Sequence, residues 1–222
     1  CKIGNNVTIM PGARIGRNVT IFPGAVVSAI PQDLKFHGEE TVAIIGDGTT
    51  LRECTTVNRG TASKGKTVVG SNTLLMAYTH VAHDCVIGNN VIVSNATQFA
   101  GEVVVDDFAV IGGGSLIHQF CHIGSHVMLQ GGALVNKDIP PYIRAAREPI
   151  SYAGINIVGL KRRRFSNETI TEIEEIYRLL YNCGMNVSEA VAHIESEVTP
   201  NEIRDTILNF VKNSERGIVR GY

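Results

Sequence analysis

The sequence has no Cys-x-x-Cys pair, no surplus of either charge and no apolar run of about eighteen residues or more. Its 20 Lys and Arg stand against 21 Asp and Glu, so no global field draws the chain toward nucleic acid or an anionic membrane surface. Any charged partner has to be met by a local patch. The five cysteines, Cys1, Cys54, Cys85, Cys121 and Cys183, are scattered, which argues against a zinc knuckle or a dense disulfide framework and fits a reducing cytoplasm. No basic segment leads into an apolar one, so neither a membrane span nor a secretory signal is legible. What is present is a globular composition: 222 residues, 44% of them hydrophobic, enough to bury a core.

One aliphatic side chain recurs at every sixth position. The series runs from Ile3 through Ile9, Ile15, Ile21 and Val27, resumes at Ile45, Leu51 and Val57, and continues from Val69 to Val135. Only Asp33, Glu39 and Ser63 interrupt it. A period of six fits neither the 3.6 of a helix nor the alternation of an ordinary strand. It predicts a parallel β-helix of hexapeptide repeats, three hexads to a triangular coil, over residues 1–140. The glycine that often follows the aliphatic (Gly4, Gly16, Gly46, Gly70, Gly88, Gly112, Gly124) is expected where the chain turns tightly. Because the register returns in phase after each break, residues 28–44 and 58–68 are expected to be loops projecting from the coils, favoured places for binding residues. The pattern opens in mid-repeat at Cys1, so further residues are expected upstream.

After Pro140 and Pro141 the pattern changes. Residues 141–165 read as a connecting segment and 166–222 as a small helical domain. Its first helix, 166–181, carries Ile170, Ile173, Ile176, Tyr177 and Leu180 on one face behind a Ser166 N-cap. A second is expected after Ser188, and a third after Thr199 with Pro200 at its first position. Such a tail would cover the open end of the solenoid.

The solenoid period gives the polar residues a geometry. Positions eighteen apart stack on one edge, about 4.8 Å from one another, which aligns His83, Gly101 and Gln119. An imidazole base, a bare backbone N–H and an amide in one line suit acyl transfer: the imidazole takes a proton from an attacking hydroxyl, and the N–H holds the developing oxyanion. A single histidine on a solenoid face is usually just a polar surface residue. Here His80, His83 and Asp84 cluster. Asp84 reads either as the group that orients His83 or as a local turn hydrogen bond. His118, His122 and His126 have a spacing that suggests metal ligands on a helix but are scattered by a solenoid, so no metal site is expected. The one basic concentration, "GLKRRRF" at 159–165, is either a solvated junction or a docking surface for phosphates or an acidic carrier.

The segments "QDLKFHGE", "NRGT", "LLMAYTHVAHDCVIGNN", "HQFCHIGSHVM" and "GINIVGLKRRRFS" closely resemble the acyl-[acyl-carrier-protein]–UDP-N-acetylglucosamine O-acyltransferase family, which begins lipid A synthesis. The resemblance implies a left-handed β-helix, a homotrimer with sites between subunits, and acyl carrier protein and UDP-N-acetylglucosamine as partners. It implies no cofactor beyond the carrier's own phosphopantetheine. It makes His83 the catalytic base with Asp84 as its partner, Gly101 the oxyanion donor, and His80, His118 and Gln119 substrate contacts. Asp33 and Lys35, Asn156, Arg162 and Arg163 match positions that hold the sugar nucleotide or the phosphopantetheine, and Gly131 the position that limits acyl length. Glu102, Val158 and Gln130 depart from the pattern: a histidine, a glutamate and a glycine are familiar there. Related readings are a hexapeptide acyltransferase with an amine acceptor or a coenzyme A donor, a zinc-dependent solenoid hydratase, and a scaffold without catalysis. The last leaves the histidine cluster unexplained.

Overall fold

The computed structural model describes residues 1–221. The hexads form short parallel strands in three sheets of nine, seven and six strands. Wherever no loop intervenes, each strand pairs with the one eighteen positions on: His80 with Gln98, Val86 with Val104, Ile92 with Val110. The coils wind as a left-handed parallel β-helix, the rare hand for parallel crossovers.

The aliphatic of each hexad points into the prism. Val27, Leu51, Val81, Phe99, Ile123 and Val135 are all essentially buried, and each such side chain contributes about 1.5–3 kcal/mol relative to exposure. Ile3 and Ile9, in the first coil, are about half exposed, at 49% and 47%. Two positions before the aliphatic, buried threonines form a second internal row, their hydroxyls donating to carbonyls of the adjoining coil: Thr49 to Gly70 at 2.6 Å and Thr73 to Gly88 at 2.8 Å.

The glycines after the aliphatics are not the tight turns the sequence suggested. None has a positive φ; the left-handed residue comes two positions later, at Asn18, Gly48, Asn72, Asn90 and Gly114. Their role is close approach between coils. A Cβ on Gly46 would lie 2.5 Å from the Gly70 carbonyl carbon, and one on Gly112 would lie 2.3 Å from the Gly131 nitrogen. The two loops are shorter than expected, 30–41 and 59–65, because pairing continues to Ala29 with Asn58 and restarts at Val42 with Lys66.

Beyond the hexads lie the last two of the nine strands in the largest sheet: Ile143–Ala146 continues it in parallel, and Ser151–Ile155 folds back antiparallel. Helix α1, Ile157–Arg162, follows inside the segment expected to be a mere connection. A glycine in its middle, Gly159, hides its helical character from a propensity reading. Helix α2, Asn167–Asn182, starts behind Ser166, which accepts a hydrogen bond from the Thr169 N–H. Helix α3, Val187–Glu197, begins before Ser188, because Asn186 and Glu189 form a capping box. Helix α4, Glu202–Lys212, is capped by Asn201, so Pro200 precedes the cap instead of opening the helix. The tail then runs along the last coil: the Asp138 N–H donates to the Gly217 carbonyl and the Val219 N–H to the Asp138 carbonyl, at 3.0 and 2.9 Å. Tyr177, fully buried on α2, donates to the Pro141 carbonyl at 2.6 Å.

Candidate active site

His83 and Asp84 occupy the corner between the strands His80–Val81 and Val86–Ile87. Asp84 takes the left-handed position of that turn, with φ of +61°, a conformation aspartate tolerates better than most residues. The bend brings His83 Nδ1 to 2.9 Å from Asp84 Oδ2, and the carboxylate is wholly buried. The Asp84 side chain thus hydrogen-bonds the imidazole itself. With Nδ1–H donating to the carboxylate, Nε2 is left as an acceptor facing a cavity of about 530 Å³, which Asp33, Lys35, Asn58, His80 and Gln119 help to line. Asp33 approaches from the 30–41 loop, its Oδ2 4.0 Å from Nε2.

Gly101 stacks on this corner one coil further on, and the imidazole lies directly against it. A Cβ there would fall 2.5 Å from His83 Cε1 and 2.6 Å from Nε2. Only glycine leaves the ring its place. The Gly101 N–H has no acceptor among the described residues, so an unpaired donor remains on the residue against which the imidazole lies. Gln119, the next residue in the stack, lines the same cavity. His80 lies one strand away. Its Nδ1 is 2.7 Å from the Thr56 hydroxyl, and its pKa is lowered, by burial first and by His83 second. From His80 and Ala82 an apolar groove of about 420 Å³ crosses the seven-stranded sheet past Leu116 and Leu134, with His118 on its wall. A polar cavity and an apolar groove thus meet at His80 and Ala82, next to the His83 corner, as an acceptor with several hydroxyls and a long-chain donor would require.

The comparisons with known proteins point the same way. A family profile described as UDP-N-acetylglucosamine O-acyltransferase, domain 2, matches residues 138–219, and a six-repeat bacterial transferase hexapeptide profile matches 66–101. The acyl-[acyl-carrier-protein]–UDP-N-acetylglucosamine O-acyltransferase of Myxococcus xanthus is 43% identical over 195 residues, 87% of this chain and 76% of that one. This chain belongs to that O-acyltransferase family. Among solved structures, the UDP-N-acetylglucosamine acyltransferase of Bacteroides fragilis is similar at 55% identity with a TM-score of 0.96, covering 99% of this chain and 87% of that one. The Francisella novicida enzyme is similar at 37% identity with a TM-score of 0.93, over 98% and 83%.

The other residues suggested by the O-acyltransferase resemblance do not all gather at His83. Gly131 stacks over Gly113 at the opposite border of the seven-stranded sheet, between strands Met128–Leu129 and Leu134–Val135. Asn156, Arg162 and Arg163 line a separate cavity of about 840 Å³ against the nine-stranded sheet. Asn156 there also caps α1, accepting from the Gly159 N–H at 3.1 Å and donating to the His126 carbonyl at 2.9 Å. Arg163 braces the helix on the solenoid, donating to the Phe108 carbonyl at 2.8 Å and lying over the Phe108 ring; burial lowers its pKa. Arg162 is the exposed cation of the pair.

The departures have structural partners. Glu102 places its carboxylate 3.6 Å from Lys64 Nζ. Gln130 turns away from Gly131 and exchanges hydrogen bonds with the Arg147 backbone, at 3.0 and 2.8 Å. Val158 is exposed at 61% on the wall of the larger cavity. The spaced histidines lie apart: His122 is 3.0 Å from Asp106 and packs on Phe210, while His126 is stacked between Phe108 and Tyr142. Among the described residues no group of three His, Cys, Asp or Glu could hold a metal ion. Sequence reasoning passed over Thr56 and Asn58. Thr56 pairs in register with His80, and eighteen-residue arithmetic misses it because the 59–65 loop adds six positions to that coil.

Proposed function

We propose that this chain transfers a long, 3-hydroxylated acyl chain from acyl carrier protein to the 3-hydroxyl of UDP-N-acetylglucosamine, the first step of lipid A synthesis. The observation that carries this reading is His83, tied to Asp84 at Nδ1 and lying with Nε2 against Gly101. Nε2 takes the proton of the 3-hydroxyl as that oxygen attacks the thioester carbonyl. The Gly101 N–H holds the resulting oxyanion. When the tetrahedral intermediate collapses, the carbon–sulfur bond breaks and the imidazolium returns its proton to the carrier's thiolate. The acyl chain lies along the groove past Leu116 and Leu134, while Asp33, Lys35, His80, His118 and Gln119 meet the sugar and the donor.

The reading also includes a homotrimer. Gly131, Asn156, Arg162 and Arg163 lie on other faces of the same chain. A site that uses them together with His83 draws them from a neighbouring copy. No cofactor is required beyond the phosphopantetheine that carries the donor, and both substrates place the reaction in the cytoplasm. No helix among the described residues is long and apolar enough to cross a membrane. Arg162 and its basic neighbours would meet phosphates or the acidic carrier, so binding should weaken as salt rises. Salt-independent binding would remove them from that role.

The test is product mass from UDP-N-acetylglucosamine with a panel of acyl carrier protein thioesters, beside His83→Ala. An ester-linked acyl-UDP-sugar formed by the unmodified chain, with turnover lowered by a factor of about 10² to 10⁴ in the variant, is the expected result. Transfer to an amine, or from coenzyme A alone, would favour a related acyltransferase with the same base.

A further inference from the structure

We infer that the 59–65 loop is a clamp for the Asp84 carboxylate, and that Thr61 is a positioning residue acting on His83 through it. The inference rests on the reading of His83 as the base. The loop breaks the hexad register, and what it brings to the corner is a set of donors. Asp84 Oδ1 accepts from the Thr61 N–H at 3.0 Å and from the Lys64 N–H at 3.3 Å. Asp84 Oδ2 accepts from the Thr61 hydroxyl at 2.5 Å, beside His83 Nδ1 at 2.9 Å. The Thr61 hydroxyl accepts from the Ser63 N–H at 3.2 Å, so its single proton is aimed at Asp84. Behind the carboxylate, the Asp84 N–H donates to the Thr67 hydroxyl at 2.8 Å.

A buried carboxylate normally requires a cation or several donors. The ammonium of Lys64 instead pairs with Glu102, and backbone amides and one hydroxyl do the work at Asp84. These donors have two effects on His83. They fix the direction of Oδ2, and so the ring plane. They also draw charge from Oδ2, which weakens its support for the imidazolium. The other charged or titratable groups facing His83 are Asp33, Lys35 and His80 in the cavity, with the Lys64–Glu102 pair behind the loop.

Thr61→Val keeps the side chain's shape and the Thr61 N–H but deletes the hydroxyl donor; Thr61→Ser restores it. In the assembled protein, Thr61→Val should lower kcat about tenfold with KM for the sugar nucleotide unchanged. It should also raise the pKa of the His83 imidazole, read by NMR titration, and move the acid limb of the kcat/KM profile upward. Thr61→Ser should return all three toward the starting values. An unmoved titration and unchanged kcat in Thr61→Val would overturn the inference. Equal losses in the Val and Ser variants, with lowered Tm and an unmoved titration, would make Thr61 merely structural and overturn it as well. His83→Ala, assayed alongside, separates the two claims: if it keeps activity while Thr61→Val still shifts the titration, the clamp stands and the assignment of the base falls.

Discussion

Adding one methyl group at Gly101 tests the proposed site most directly. The new Cβ would lie 2.5 Å from His83 Cε1 and 2.6 Å from Nε2, where ordinary contacts begin at 3.4 Å. The difference from the closer atom is about 0.9 Å, and it has to be met by the imidazole, because the stacked coils hold the backbone. A displacement of about 1 Å at a reacting group costs on the order of a hundredfold in rate. The backbone itself has no objection to alanine, since Gly101 is not in the left-handed region. Replacing glycine by alanine where the conformation is compatible stabilises by about 0.4–1 kcal/mol through the unfolded state, which offsets part of the crowding. Gly101→Ala should therefore fold with a Tm near that of the unmodified protein and lose kcat by about two orders of magnitude. The assay is single-turnover acyl transfer from a carrier thioester, with Tm measured on the same preparation. Full kcat in a folded Gly101→Ala protein would refute the placement of a working base against this glycine.

Asp84→Asn keeps the left-handed turn accessible but places an amide where Thr61, Lys64 and His83 all require an acceptor; kcat should fall by a factor of about 10² to 10⁴, with titration of His83 by NMR reporting the altered imidazole. His126, half-buried in its aromatic stack, has a pKa lowered to about 4, chiefly by desolvation and then by Arg163. Its unfolded form takes up a proton near the ordinary histidine value and the folded form does not. Stability should thus decline as pH falls from about 6.5 toward about 4, and His126→Phe should flatten that decline in urea melts repeated across the range. Phe99→Ala empties the position of the one aromatic in the internal aliphatic row and should cost about 3–5 kcal/mol in chemical denaturation.

The six-residue period was enough to give the solenoid, its inward row and the places where loops leave it, because each hexad repeats one backbone conformation and one buried contact. The same arithmetic put His83, Gly101 and Gln119 on one edge before any coordinates. It failed where the reason for a residue lay in the neighbouring coil. The glycines after the aliphatics look like turn residues in a linear reading, yet they are small because another backbone passes at van der Waals distance. Helix α1 was missed for a related reason: Asn156 and Arg163 hold it against the solenoid through the His126 and Phe108 carbonyls, and six residues have little helical stability of their own.

What the sequence by itself determined is therefore the repeat and the internal core, which follow from local period and residue chemistry, together with the alignment of the proposed base, His83, with Gly101 and Gln119. The tertiary structure decided how that base is held. Thr61 and Lys64 reach Asp84 from 23 and 20 positions away, across a loop whose length no period predicts. Asp33 arrives from a second such loop. The separation of Gly131 and Asn156 from His83 was likewise decided in three dimensions, because a triangular coil sends residues of successive hexads to different faces however close they stand in the chain.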